Sequence, residues 1–158
     1  MPSYAPEIKS TFLAQLETVR RPAQIYTVAT TTIFTISGGP VWIWGLYGVF
    51  VAAMATASTA RHQINGRVLD AGAVNINSGV DDVVIFPLDS SGTGVVVPNV
   101  AASCMPGIGA LNAGGGKVMA SVTPGTIALT IAAFVTTAAF DMYCSYYRMT
   151  ENSLITVT

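Results

Sequence analysis

Charged residues are scarce in this 158-residue sequence: Asp, Glu, Lys and Arg together make up 9% of it, against roughly 25% in an ordinary soluble domain. Seven basic and eight acidic residues give a net charge of −1. Nucleic-acid-binding domains usually carry a clear basic excess, so we expect no nucleic-acid partner. So little charge on an open surface would make a folded chain poorly soluble, which indicates that lipid or other protein chains cover much of it.

Residues that bind metals or act as nucleophiles are also few. The two cysteines, Cys104 and Cys144, lie far apart without metal-ligand spacing, and we predict buried free thiols. The one histidine, His62, has no GxSxG nucleophile motif to serve, and we predict a surface or hydrogen-bonded side chain. Asp81 and Asp82 lack calcium-loop spacing and are predicted to cap a turn. We therefore expect no catalytic residue, no metal and no enzymatic activity.

The glycine-rich stretch at residues 102–117, ASCMPGIGALNAGGGK, lacks the spacing of a nucleotide-binding loop. A P-loop needs Ser or Thr after its Gly-Lys and a second Gly five residues earlier, but Val118 and Leu111 occupy those positions. GIGALN begins like a dinucleotide fingerprint but ends on Asn112. We predict a long loop here, with no cofactor and no small-molecule substrate.

Long charge-free runs raise a membrane alternative. No charged residue occurs between Arg21 and Arg61 or between Lys117 and Asp141. The densest apolar part, residues 41–54, would be only about 21 Å long as a helix, short of the roughly 30 Å hydrocarbon core. No cluster of Lys or Arg flanks either run. We expect no membrane partner, and a small membrane protein with two short spans is kept as an alternative.

The residue types favour β-strands. The chain contains 18 Thr, 18 Val and 12 Ile, whose branched side chains suit a pleated sheet better than a helix. Turn residues separate the short apolar runs at 37–40, 77–79, 89–94, 113–116 and 123–125. This punctuation is typical of an all-β sandwich or barrel. We predict an antiparallel β-sandwich domain at residues 25–158, jelly-roll-like, with nine or ten strands.

Residues 1–24 are predicted to form a separate N-terminal arm, either a short helix or an extended segment. Ile8, Phe12, Leu16 and Val19 recur at helical spacing, with charged residues between them. Such an arm could contact a neighbouring chain or pack on its own domain. The sequence starts with MPSYAPEIK, which does not have the basic end and apolar run of a secretory signal, so we expect assembly in the cytoplasm.

Aromatic residues are the candidates for an interface, because Tyr and Trp combine a large apolar area with a polar tip. Strict alternation in VWIWGLYGVF, residues 41–50, would place Trp42, Trp44, Leu46 and Phe50 on one face. The other face would then carry Val41, Ile43, Tyr47, Val49 and Val51, so both faces are apolar. The predicted interface residues are Trp42, Trp44, Tyr47, Phe50, Phe12, Leu16, Tyr146 and Tyr147.

Two stretches resemble small virion proteins of tailed bacteriophages. IFTISGGPVWIWGLYGVFVAAM, ending at Met54, is similar to their apolar strand pair around a Gly-Gly-Pro turn. PGTIALTIAAFVTTAAFDMYCSYYRMTENSLITV, residues 124–157, is similar to their Pro-Gly-Thr-Ile turn followed by a strand rich in tyrosine. The resemblance covers about half the chain and leaves residues 61–117 unmatched.

The resemblance implies a virion structural protein: a capsid decoration or cement protein that binds the major capsid protein and stabilises a phage head. It also implies a homo-oligomer, with a homotrimer expected because capsid lattices present three-fold sites. A tail or fibre-base component of the same fold is the alternative. A carbohydrate-binding module remains open because tryptophans can stack on sugars.

Overall fold

A computed structural model of the chain describes residues 15–53, 58–68, 73–76, 79–86, 88, 95–97, 119–121, 124–132 and 139–158. These residues form twelve strands: β1 (Leu16–Ile25), β2 (Thr30–Ser37), β3 (Val41–Phe50), β4 (Thr59–Ile64), β5 (Arg67–Val68), β6 (Val74–Asn75), β7 (Val83–Phe86), β8 (Val95–Val97), β9 (Met119–Ser121), β10 (Gly125–Ala132), β11 (Ala139–Arg148) and β12 (Leu154–Val157). The described residues contain no helix, which confirms the all-β prediction.

The strands form two sheets of six, and every pairing is antiparallel. Sheet A has the order β1-β11-β3-β7-β8. Strand β9 also pairs with β3, along the same edge that pairs with β7. Sheet B has the order β12-β2-β10-β4-β5, with β6 also paired to β4. The chain crosses from one sheet to the other between β1 and β2, between β2 and β3, and again between β3 and β4.

Both sheets contribute buried side chains to one hydrophobic cluster. Sheet B supplies Phe34, Ile127 and Leu129, while sheet A supplies Leu46 and Phe140, all with no exposed surface. Burying side chains of this size stabilises the fold by about 1.5–3 kcal/mol each before conformational entropy is subtracted. The described core therefore lies between the two sheets, and the outer face of each sheet is left for other contacts.

The helical form predicted for the N-terminal arm is wrong over residues 16–21. These residues belong to β1, which pairs with β11 from Leu16 opposite Tyr147 to Ile25 opposite Ala139. A long-range sheet partner overrides the weak helical spacing, because tertiary pairing routinely outweighs local propensity. The predicted boundary between residues 24 and 25 falls inside this strand, and Phe12 lies outside the described residues.

The predicted faces of β3 are wrong beyond Trp44, because the strand contains a β-bulge. Gly45 pairs with Ser145 and Ile43 pairs with Tyr146, so Trp44 is the extra residue. A bulge shifts the alternation of side chains by one position. Leu46 and Phe50 therefore point into the core with Val41 and Ile43, whereas Tyr47 shares the outer face with the two tryptophans.

The Asn-Gly pair at residues 65–66 forms a tight turn. Asn65 has φ 52° and Gly66 has φ 76°, as expected for the two central residues of a type I′ hairpin turn. The turn joins β4 to β5, and the Asn65 Oδ1 atom accepts a 2.9 Å hydrogen bond from the Thr126 amide of β10.

The charge-free runs considered as membrane spans contribute strands to the two sheets. Residues 41–50 form β3 and residues 125–132 form β10. Within the described ranges, no helix has the length and apolar character needed to cross a membrane.

Candidate interaction surfaces

Five aromatic side chains occupy the outer face of sheet A. Trp42, Trp44 and Tyr47 come from β3, and Tyr143 and Tyr147 come from β11. They share this face because the neighbours of Tyr143 and Tyr147 on β11, Cys144 among them, point into the core. We call these five residues the aromatic face.

The rings of the aromatic face mostly contact one another. Tyr47 and Tyr143, which are paired across β3 and β11, stack with centroids 4.9 Å apart and planes within 4°. Trp44 and Tyr147 contact each other edge to face, with ring centroids 6.0 Å apart. Trp42 is the exception, because 49% of its surface is exposed. The face is thus a pre-ordered aromatic layer with one tryptophan open to a partner.

An ion pair borders the aromatic face at β1. Asp141 is buried, and its Oδ2 atom lies 2.8 Å from the Nη2 atom of Arg20. Its Oδ1 atom accepts a 2.6 Å hydrogen bond from the Ala23 amide, at the irregularity where β1 loses register with β11. Burial, followed by the nearby carboxylate of Asp141, raises the pKa of Tyr143, so this ring keeps its proton at neutral pH.

One polar atom of the aromatic face has no partner among the described residues. The Nε1 atom of Trp44 is buried and makes no hydrogen bond to any of them. A buried donor without an acceptor costs about 1–3 kcal/mol, so the face carries an unsatisfied group beside its exposed tryptophan.

The outer face of sheet B is different in kind, because threonine hydroxyls cover it. Thr30 and Thr130 share a 2.8 Å hydrogen bond, and Gln63 donates to Thr130 at 3.0 Å. Thr35 and Thr158 share another at 2.7 Å. A hydroxyl surface of this kind is compatible with water, so the aromatic face of sheet A is the more apolar of the two.

A second apolar surface lies at one end of the fold. Ile25, Val28, Val51 and Val80 are 65%, 58%, 46% and 53% exposed. Ile25 pairs with Ala139, whose carbonyl accepts a 2.9 Å hydrogen bond from the Val51 amide. Val80 precedes Asp81, whose amide donates a 2.8 Å hydrogen bond to the Phe50 carbonyl. We call these four residues the apolar end; sequence reasoning missed it because no linear motif connects them.

The structure divides the predicted interface residues between surface and core. Trp42, Trp44, Tyr47 and Tyr147 lie on the aromatic face, and Leu16 is half-buried beside Tyr147. Phe50 and Tyr146 differ from the prediction, since they are 0% and 2% exposed in the core. Phe50 points inward because of the bulge, and Tyr146 because it alternates with Tyr147.

The Tyr146 hydroxyl links three strands from both sheets. It donates a 2.9 Å hydrogen bond to Oε2 of Glu17 in β1 and accepts one of 3.3 Å from the Ile155 amide in β12. Arg148 binds the same carboxylate through Nε and Nη2. The hydrogen bond from Arg148 lowers the pKa of Glu17, while burial raises that of Tyr146. The cluster is a structural tie between sheets.

The described residues that were considered for catalysis or metal binding lie in the core or in a turn. Cys144 is a buried free thiol, as predicted, and burial raises its pKa. Asp82 caps its turn by accepting a 2.6 Å hydrogen bond from the Gly79 amide. The prediction for His62 is wrong: the side chain is fully buried, and neither ring nitrogen has a hydrogen-bond partner within the part of the chain that the structure describes. Cys104 and the stretch at 102–117 lie outside the described residues.

No group of three or more His, Cys, Asp or Glu side chains within the described segments could hold a metal ion. Comparison with known proteins gives no further guide: no family model, no curated protein and no solved structure matches the chain.

Proposed function

We propose that this protein is a virion structural protein, a capsid decoration or cement protein that assembles through the aromatic face of sheet A. The exposed Trp42 on a pre-ordered aromatic layer is the observation that carries the proposal. Tryptophan and tyrosine dominate the energetics of protein interfaces. A low-charge chain that places them on an outer sheet face is suited to permanent burial against other subunits.

The strand order supports a sandwich of the jelly-roll type. The pairs β1 with β11, β2 with β10, β3 with β7, and β4 with β5 have the nesting of one long hairpin. Rolling such a hairpin up distributes its strands over two sheets, in the orders β1-β11-β3-β7 and β2-β10-β4-β5 that occur here. Jelly rolls are used in viral capsid and lectin domains, and this analogy of fold supports a virion role.

The aromatic face favours a protein partner over a sugar. Sugar binding requires open ring faces. Tyr47 and Tyr143 stack on each other, and Trp44 and Tyr147 contact each other edge to face, so these rings contact one another. Only Trp42 is more than about a third exposed. The partners we propose are further copies of this chain, in a homotrimer, and the major capsid protein, with the N-terminal arm adding contacts to a neighbour.

The edge strand β1 favours assembly through faces and not through strand addition. Arg20 and Pro22 are exposed on it, and its register with β11 shifts between Arg21 and Gln24. Charged residues, proline and irregular pairing all discourage the addition of a further strand at an edge.

The test is the amount of chain incorporated into purified virus particles, measured by quantitative mass spectrometry. We expect Trp42→Glu to reduce incorporation more than about tenfold, because an interface tryptophan contributes ~2 kcal/mol or more. Its matched control is Thr126→Glu, at an exposed position on sheet B. Both variants should retain a β-type circular dichroism spectrum, since both positions are exposed.

The copy number per particle separates the head role from the tail or fibre-base alternative, because a protein that covers the shell must occupy its many repeated sites. Absence of the chain from every particle preparation would refute a virion role. Recovery in the membrane pellet after carbonate extraction would favour the membrane alternative, and specific retention on a glycan array would favour carbohydrate binding.

A further inference from the structure

We infer that the aromatic face of one copy is the docking site for the N-terminal segment, residues 1–14, of a second copy. The inference rests on the proposed function, in which copies of the chain assemble, and it names the occupant of the surface described above. It is argued from where the segment enters the fold, what it contains, and why its own face is a poor target.

The segment joins the fold at the aromatic face. Leu16, the first residue of β1, pairs with Tyr147, and Tyr147 pairs with Trp42 on the next strand. Neighbouring strands lie about 4.8 Å apart, so the chain enters the sheet roughly 10 Å from the exposed tryptophan. A two-fold or three-fold arrangement that places this edge against a neighbour brings residues 1–14 onto an equivalent tryptophan.

The composition of the segment matches an aromatic docking site. Residues 1–14, MPSYAPEIKSTFLA, contain the apolar residues Tyr4, Ile8, Phe12 and Leu13. Glu7 and Lys9 cancel each other in charge. The segment can extend up to ~46 Å, enough to cross β3 and β11, the two strands of sheet A that carry the face.

The second copy is favoured over the same chain by the direction of β1. Leu16 begins β1 at the edge of sheet A and Trp42 lies two strands away, so an arm that covered the Trp42 of its own chain would have to turn sharply just before β1. Sharp turns favour Gly, Pro, Asn, Asp or Ser. Residues 11–15, TFLAQ, contain none of these.

The experiment is photo-crosslinking with a probe that keeps the aromatic character of the arm. The full chain carrying Phe12→p-benzoylphenylalanine is refolded with an excess of ¹⁵N-labelled chain and irradiated. We expect mass spectrometry to show a light–heavy product that joins position 12 to the β3 peptide containing Trp42. The product should be lost when the labelled chain carries Trp42→Glu and retained when it carries Thr126→Glu.

Three results would overturn the inference: a crosslink confined to the light chain, a crosslink to another surface, or no crosslink. A virion role can survive each of them, because particle incorporation is measured separately. Conversely, a light–heavy product from a chain that never enters particles would support arm exchange and reject the virion role.

Discussion

At the scale of single residues, His62 is the least expected feature. It is fully buried on the core side of β4. The centroids of its ring and the Phe86 ring are 4.0 Å apart, and the two ring planes make an angle of 70°. Neither ring nitrogen has a hydrogen-bond partner in the described segments. Burial lowers the pKa of His62 to about 3 from an ordinary value near 6.5. The folded protein therefore holds a neutral imidazole as part of its apolar core.

This depressed pKa predicts a loss of stability in acid. Unfolding exposes His62, which then binds a proton below pH 6.5, whereas the folded state resists protonation down to about pH 3. The free energy of unfolding should fall by up to ~1.4 kcal/mol per pH unit across that window. Between pH 6.5 and 5 the contribution of this residue is about 2 kcal/mol.

Urea unfolding of the natural chain and of His62→Leu at pH 7 and pH 5 measures the effect. The natural chain should lose about 2 kcal/mol more than the variant between these pH values, because leucine has no proton to bind. Equal losses in both chains would mean that the carboxylates alone account for the acid sensitivity. The free energies of unfolding of the two chains at pH 7 show whether leucine packs in this site as well as histidine does.

At the scale of elements, the sequence predicted strand identity well and strand faces poorly. β2, β3 and β10 fall within runs recognised from β-branched residues and turn signals, and β11 falls within the tyrosine-rich strand that the resemblance implied. The bulge at Trp44 depends on how β3 and β11 register, which no local pattern encodes. His62, in contrast, had a usable signal, since it alternates with Ala60 and Ile64 against Arg61.

The bulge predicts that two single-residue deletions in β3 differ sharply. Deleting Trp44 removes the extra residue and leaves Ile43, Leu46 and Phe50 on the core side. Deleting Tyr47 reverses the alternation after Leu46, so that Phe50 would point outward. Loss of a buried phenylalanine costs about 3–5 kcal/mol. Tyr47 deletion should therefore be the more destabilising by at least ~3 kcal/mol.

Urea denaturation followed by circular dichroism compares the two deletions, which both remove one aromatic residue of the same face. A cooperative transition in the Trp44 deletion and its loss or large shift in the Tyr47 deletion is the expected result. Similar destabilisation by both would show that the indole packing of Trp44, and not the alternation of β3, dominates this strand.

At the scale of the whole molecule, the described residues form surfaces of three kinds. Sheet A presents aromatic rings, sheet B presents threonine hydroxyls, and the apolar end presents four aliphatic side chains. Contiguous exposed apolar surface marks interaction sites in folded proteins. Two apolar surfaces on different parts of one fold suit two different contacts, such as copy to copy and copy to shell.

The separation of these surfaces predicts that they can be disabled independently. Val51→Lys should leave folding intact, because 46% of Val51 is already exposed. If the apolar end contacts the shell, the variant should lose particle incorporation while keeping the oligomer formed through the aromatic face. Trp42→Glu should lose the oligomer itself. Val68→Lys, at a position 43% exposed on β5, is the matched control.

Sedimentation velocity of the purified variants and their copy number in particles give the two readouts needed. An oligomer that persists in Val51→Lys but not in Trp42→Glu assigns self-association to the aromatic face. Loss of both properties in both variants would mean that one continuous interface covers the two surfaces. A buried lysine charge in an apolar interface costs several kcal/mol. Normal incorporation of Val51→Lys would therefore show that the apolar end does not contact the shell.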